Sequence, residues 1–128
     1  MSAPSSATEG AQPLFELPSN PVAYVAVFAA LLTGVIHLVL APQVVGFDPT
    51  TALLFALNGL GFLGGLVLFV SRYWRRELYL VAAVYALVTV VAYVVMSGPV
   101  NPLSIAAKAA ELVLVLVSLY LYRATPKR

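Results

Sequence analysis

The sequence predicts an all-α membrane protein: an antiparallel up-down-up-down bundle of four transmembrane helices with both termini in the cytoplasm. Three observations carry that prediction. They are an apolar composition, four apolar segments long enough to cross a bilayer, and basic residues confined to one side of those segments. Of the 128 residues, 62% are hydrophobic and only 9% are charged, against roughly 25% charged in an ordinary soluble domain. So little polar surface cannot cover a water-facing exterior, so the exterior faces lipid. There is no cysteine, which excludes disulfides, thiolate metal sites and CxxC redox chemistry.

Residues 1–20, MSAPSSATEGAQPLFELPSN, are rich in Ser, Ala and Pro and hold only the acids Glu9 and Glu16. This composition predicts a disordered tail. A cleaved secretory signal would begin with basic residues and carry a shorter apolar core, so the first span is expected to be retained.

The four-helix transmembrane domain is expected over 21–123, with spans at about 21–41, 51–71, 77–97 and 103–122. About twenty residues at ~1.5 Å rise each cross a ~30 Å hydrocarbon core. Pro21 opens the first span, and the Ala-Pro pair at 41–42 is expected to close it. FDPT at 47–50 precedes the second, with Thr50 or Thr51 as its cap. SRYWRR at 71–76 and SGPVNP at 97–102 separate the remaining spans, as Pro and Gly end one helix and start the next. Connections this short make sequential helices antiparallel neighbours.

Orientation follows from charge. One side of the spans carries Arg72, Arg75, Arg76 and Arg123, together with Lys127 and Arg128 in a basic C-terminal tail at 124–128; the other side has only Asp48. The positive-inside rule then places both termini and the second connection in the cytoplasm, and the protein in the cell membrane. Tyr24, Tyr73, Trp74, Tyr79, Tyr120 and Tyr122 fall near the same interface, where amphipathic rings are favoured. Arg72, Arg75 and Arg76 are expected to rest on anionic headgroups.

Polar residues inside the spans supply the candidate site. His37, Asn58, Tyr93, Lys108 and Glu111 lie four to eight residues from the expected outer ends of their helices, with Thr33 and Thr89 one turn beneath His37 and Tyr93. At ~1.5 Å per residue they form one layer roughly 6–12 Å below the outer surface. On the fourth span Ser104, Lys108, Glu111, Val115, Ser118 and Tyr122 fall on a single stripe. Ala82, Tyr85, Ala86, Thr89, Ala92 and Tyr93 do the same on the third. Gly61 and Gly65, spaced as Gly-xxx-Gly, are expected to let a neighbouring backbone approach.

A charge at bilayer depth costs about 2.5 kcal/mol or more, so it turns inward and finds a partner. Lys108 before Glu111 at i,i+3 is the weaker local orientation, and a cation near a helix N-terminus opposes the dipole. Lys108 can snorkel to the outer surface, which leaves the deeper, shorter Glu111 to be explained. One reading is an internal ion pair that fixes helix register with help from Asn58 or His37. The other is a functional site. The single histidine rules out bis-histidine haem, the layer has too few ligands for a catalytic metal, and no cofactor is expected. The run NGLGFLGG lacks the Lys and Ser/Thr of a phosphate loop. No nucleic-acid or hydrolase constellation is present.

GVIHLVLAP at 34–42, LFALNGLGFLGG at 54–65, SGPVNPL at 97–103, Val/Ala-rich spans and five Arg to two Lys resemble small, uncharacterised four-span integral membrane proteins of halophilic archaea. The resemblance covers residues 21–123 and implies the four-span fold without implying an activity. The chain is also similar in length and span number to small multidrug transporters, but those carry their membrane Glu in the first span and this chain has Glu111 in the fourth. DoxX-like proteins are similar in size without a shared motif.

The expected function is that of a non-enzymatic accessory or scaffold subunit, partnered by the lipid bilayer and by a membrane protein or a second copy of itself. The alternative is a small ion-coupled transporter with Glu111 as the proton or cation site, Lys108 as its counter-charge, and His37 and Asn58 as lining residues. A lipid- or quinone-handling enzyme using His37 and Glu111 as acid and base is a third reading.

Overall fold

The computed structural model describes residues 13–98 and 100–126. Over these the chain is all-helical, with four helices long and apolar enough to span a membrane and no strand. They are α1 (Ala23–Val44), α2 (Pro49–Phe69), α3 (Leu78–Val95) and α4 (Pro102–Ala124).

Most boundaries fall within a few residues of those expected, and the departures have local causes. α1 does not stop at Ala41-Pro42 but runs through Pro42 to Val44. Pro42 forfeits one backbone hydrogen bond, yet Leu40 and Ala41 are buried, and that packing carries the helix past it. α2 begins two residues early because Asp48, not Thr50 or Thr51, is the cap: its carboxylate accepts from the Thr51 amide at 3.1 Å and hydroxyl at 2.6 Å. Asn101 caps α4 in the same way through the Ser104 amide, with Pro102 in the first turn.

α3 closes on a Schellman turn, in which Gly98 N–H bonds to Tyr93 C=O at 2.8 Å and Ser97 N–H to Val94 C=O at 3.2 Å. Ser97 takes the left-handed φ of 53° that glycine usually supplies. The glycine is needed one place later, where a Cβ on Gly98 would run into the Tyr93 ring.

Of the expected tail, residues 1–12 lie outside the described residues. The stretch 13–20 departs from that expectation, running along the connection after α2: Arg72 N–H donates to Leu14 C=O at 2.8 Å and Glu16 N–H to Val70 C=O at 2.7 Å. At the C-terminal end α4 continues to Ala124, and residues 127–128 lie outside the described residues.

The helices are unequally covered. α1 packs against α2 and α4, and α3 packs against α4. α2 and α3, expected as neighbours, form no packed pair despite their short connection. Phe62 and Tyr85 stand between them edge to face at 4.9 Å and prop them apart. The close crossing is instead α1 on α2, where a Cβ on Gly59 would meet Gly34 O at 2.8 Å. The absence of side chains at Gly34 and Gly59 is what allows the two backbones to meet.

Candidate functional site

Glu111 is the centre of the polar layer and has no solvent exposure. Its Oε2 accepts the Thr33 hydroxyl at 2.5 Å, and its Oε1 accepts Lys108 Nζ at 2.8 Å and the Thr89 hydroxyl at 2.7 Å. Thr33 is on α1, Thr89 on α3 and Lys108 on α4, so one carboxylate ties three helices. The Thr89 hydroxyl also lies 2.7 Å from Ala86 C=O. With a single proton to give, it serves one of these two acceptors at a time.

His37 brings in the fourth helix. Its Nδ1 is 2.8 Å from Thr33 C=O, a group that can only accept, so Nδ1 carries the proton. In the neutral ring Nε2 is then an acceptor, and the Asn58 amide of α2 reaches it at 3.1 Å. Nε2 is also 3.8 Å from Glu111 Oε2, which would be its counter-charge on protonation. Phe55 and Phe62 flank the ring at 5.6 and 6.2 Å. Lys108 lies 5.3 Å from the centre of the Tyr93 ring, which shares the ammonium with Glu111.

The structure therefore brings Thr33, His37, Asn58, Thr89, Tyr93, Lys108 and Glu111 together. Measured from the observed helix ends the layer is uneven: Glu111 lies nine residues inside the start of α4, about 13 Å by helix rise, whereas Tyr93 lies two residues from the end of α3. Lys108 does not snorkel away; it turns to Glu111. Among the described residues no group of three His, Asp or Glu side chains could hold a metal.

The remaining candidates part company. Gly61 is a contact point, but for a side chain: the Tyr85 hydroxyl occupies the space a Cβ would need and donates to Asn58 C=O at 3.1 Å. Gly65 has no neighbour there within 4 Å, so the Gly61-xxx-Gly65 pair is not a helix crossing in this chain. Arg76 is tied down at the far end, its Nε donating to Tyr122 C=O at 3.0 Å and Thr125 C=O at 2.8 Å while its guanidinium covers the Tyr122 ring at 3.8 Å. It caps the carbonyl end of α4. Arg72 and Arg75 are exposed, with Arg72 bonded to the Tyr73 hydroxyl.

Two clefts open between α2 and α3, on either side of Tyr85. The cleft toward Trp74 is about 190 Å³ and almost wholly apolar. The cleft toward Asp48 is about 510 Å³, with His37, Asn58, Thr89 and Lys108 among its lining. Neither was visible in the sequence, although the pair of bulky residues Phe62 and Tyr85 opposite small ones was a usable signal.

Four apolar spans around a buried charged centre define a multi-pass membrane protein. The chain belongs to a family of unknown function, DUF7475, whose profile matches residues 8–122. No curated protein and no solved structure is matched by the chain.

Proposed function

We propose that the chain is a non-enzymatic, antiparallel up-down-up-down four-span protein of the cytoplasmic membrane, with both termini inside, and that it serves as an accessory subunit of a membrane complex. The observation that carries this reading is the set of three hydrogen bonds that Glu111 takes from its own chain. A buried carboxylate that takes hydrogen bonds from Thr33, Thr89 and Lys108 of its own chain is spent on holding helices in register. The connections of four, eight and six residues between helices offer little surface for chemistry outside the membrane. The six-to-none distribution of basic residues supports the orientation, and the sequence motifs at 34–42, 54–65 and 97–103 support an origin in halophilic archaea.

The test is the mass of the complex extracted from its native membrane in mild detergent, with identification of what accompanies it. A stoichiometric larger partner is the expected result; a bare monomer overturns the subunit reading. The cleft toward Asp48 favours a second reading, an ion-coupled transporter with Glu111 as its ion site, because it leads from one end of the bundle to the polar layer. A proton-coupled flux in proteoliposomes that disappears in Glu111→Gln would establish it.

A further inference from the structure

The cleft toward Asp48 has a composition that the structural role of the layer does not require. At about 510 Å³ it falls within the 300–1,000 Å³ typical of small-molecule sites. Its walls are apolar, with Leu40, Phe55, Val88 and Met96 among them, and its floor is polar, formed by His37, Asn58, Thr89 and Lys108. The Lys108 ammonium gives one hydrogen to Glu111 and also faces the Tyr93 ring, which leaves one for a ligand; the Asn58 amide gives one to His37 and retains one. Lys108 keeps 15% of its side chain accessible while Glu111 keeps none, so the cleft meets the cation and not its carboxylate. On this floor Lys108 and Asn58 are the donors left to a ligand, since the His37 Nδ1 proton faces Thr33 C=O and the Thr89 hydroxyl proton is engaged within the bundle.

Charge selects among acceptors. Lys108 is neutralised by Glu111 at 2.8 Å, and Asp48 at the rim leaves the cleft with a surplus negative charge. A phosphate or carboxylate head would meet that charge unfavourably, whereas an uncharged oxygen acceptor would not. A molecule with an apolar body can reach the cleft from the bilayer, because α2 and α3 form no packed pair along that side.

We propose that this cleft binds an uncharged, carbonyl-bearing amphiphile, with its carbonyl oxygen on Lys108 and Asn58 and its apolar body against Leu40, Phe55 and Val88. The site is independent of whether the protein is a subunit or a carrier, and it involves no chemical conversion.

The experiment compares a decyl-benzoquinone with decylbenzene, which has the same chain and no carbonyl, as ligands of the detergent-purified protein by native mass spectrometry. The quinone should bind about tenfold more tightly than the hydrocarbon, the worth of one or two hydrogen bonds. Lys108→Met should remove that preference. Because Lys108→Met also disturbs Glu111, Ala92→Phe is the second variant; it adds bulk to the cleft wall without removing any polar group and should abolish binding of both compounds. Equal affinity for the two, no binding of the quinone, binding that survives Ala92→Phe, or displacement of the quinone by phosphatidylglycerol at equal concentration would each overturn the proposal.

Discussion

α1 and α4 form the anchored half of the molecule, and α2 and α3 the open half. Within the most apolar stretch of each helix 44% of α1 and 33% of α4 is buried, against 17% of α2 and 11% of α3. All four are similarly apolar, so hydrophobicity does not decide which helices pack; in lipid it cannot, since the tails are as apolar as leucine. What separates the halves is chemistry on the inward faces. α4 presents buried Ser104, Glu111 and Ser118, and α1 presents buried Thr33, Gly34 and His37. α3 reaches the hub through Thr89 and the Tyr93 ring, and α2 through Asn58.

The largest effect should come from breaking the anchored half at its centre. Glu111→Gln leaves Lys108 without its counter-ion and is expected to cost about 3–5 kcal/mol, as breaking a buried pair does. Thermal unfolding in detergent and folded yield would read this loss, and unchanged values would dissolve the distinction between the halves.

Next comes the α1–α2 crossing. Gly59→Val drives a side chain into the Gly34 carbonyl, a backbone atom that cannot step aside, at an expected cost of about 1–3 kcal/mol. Six residues further along the same helix, this kind of change should have the opposite sign. Gly65→Ala meets nothing within 4 Å and should stabilise by about 0.5–1 kcal/mol through helix propensity. Equal penalties at positions 59 and 65 would mean that α2 is packed along its whole length.

Arg76→Gln should cost about 1 kcal/mol by releasing the carbonyl end of α4, visible as faster hydrogen exchange at 122–125, whereas Arg75→Gln should leave exchange there unchanged. The smallest effect is expected at the α2 cap. Hydrogen bonds from the Thr51 hydroxyl and amide hold the Asp48 carboxyl below the usual carboxylate range. With the folded value depressed, the cap's stabilisation is complete above that range and is lost as pH falls through the depressed value. The stability gap between the parent and Asp48→Ala should therefore close at low pH in thermal scans, and a gap that stays constant would contradict this assignment.

Helix number and approximate limits were legible because length and apolarity are strong local signals. Membership of the polar layer was legible too, since polar groups in a span must face inward and helix rise sets their depth. Pairing was not. Lys108 could snorkel or turn, and only Thr33 and Thr89 arriving from other helices show that Glu111 gathers the donors. The glycine spacing misled for a similar reason. Gly61 and Gly65 share a face with the familiar interval, yet Tyr85 takes the first and nothing takes the second, while the working pair, Gly34 and Gly59, lies on two helices and has no spacing to read. The open seam was hidden because short connections argue for adjacency, and the prop formed by Phe62 and Tyr85 depends on tertiary placement.

The central claim is that Glu111 and Lys108 are a structural lock, and a double replacement tests it most directly. Thermal unfolding of Lys108→Met combined with Glu111→Leu should recover more than half of the stability lost in Glu111→Gln, because removing both charges leaves neither one buried alone. A double variant less stable than the single one would contradict the account, since it would show that the layer needs these charges for something other than their mutual compensation.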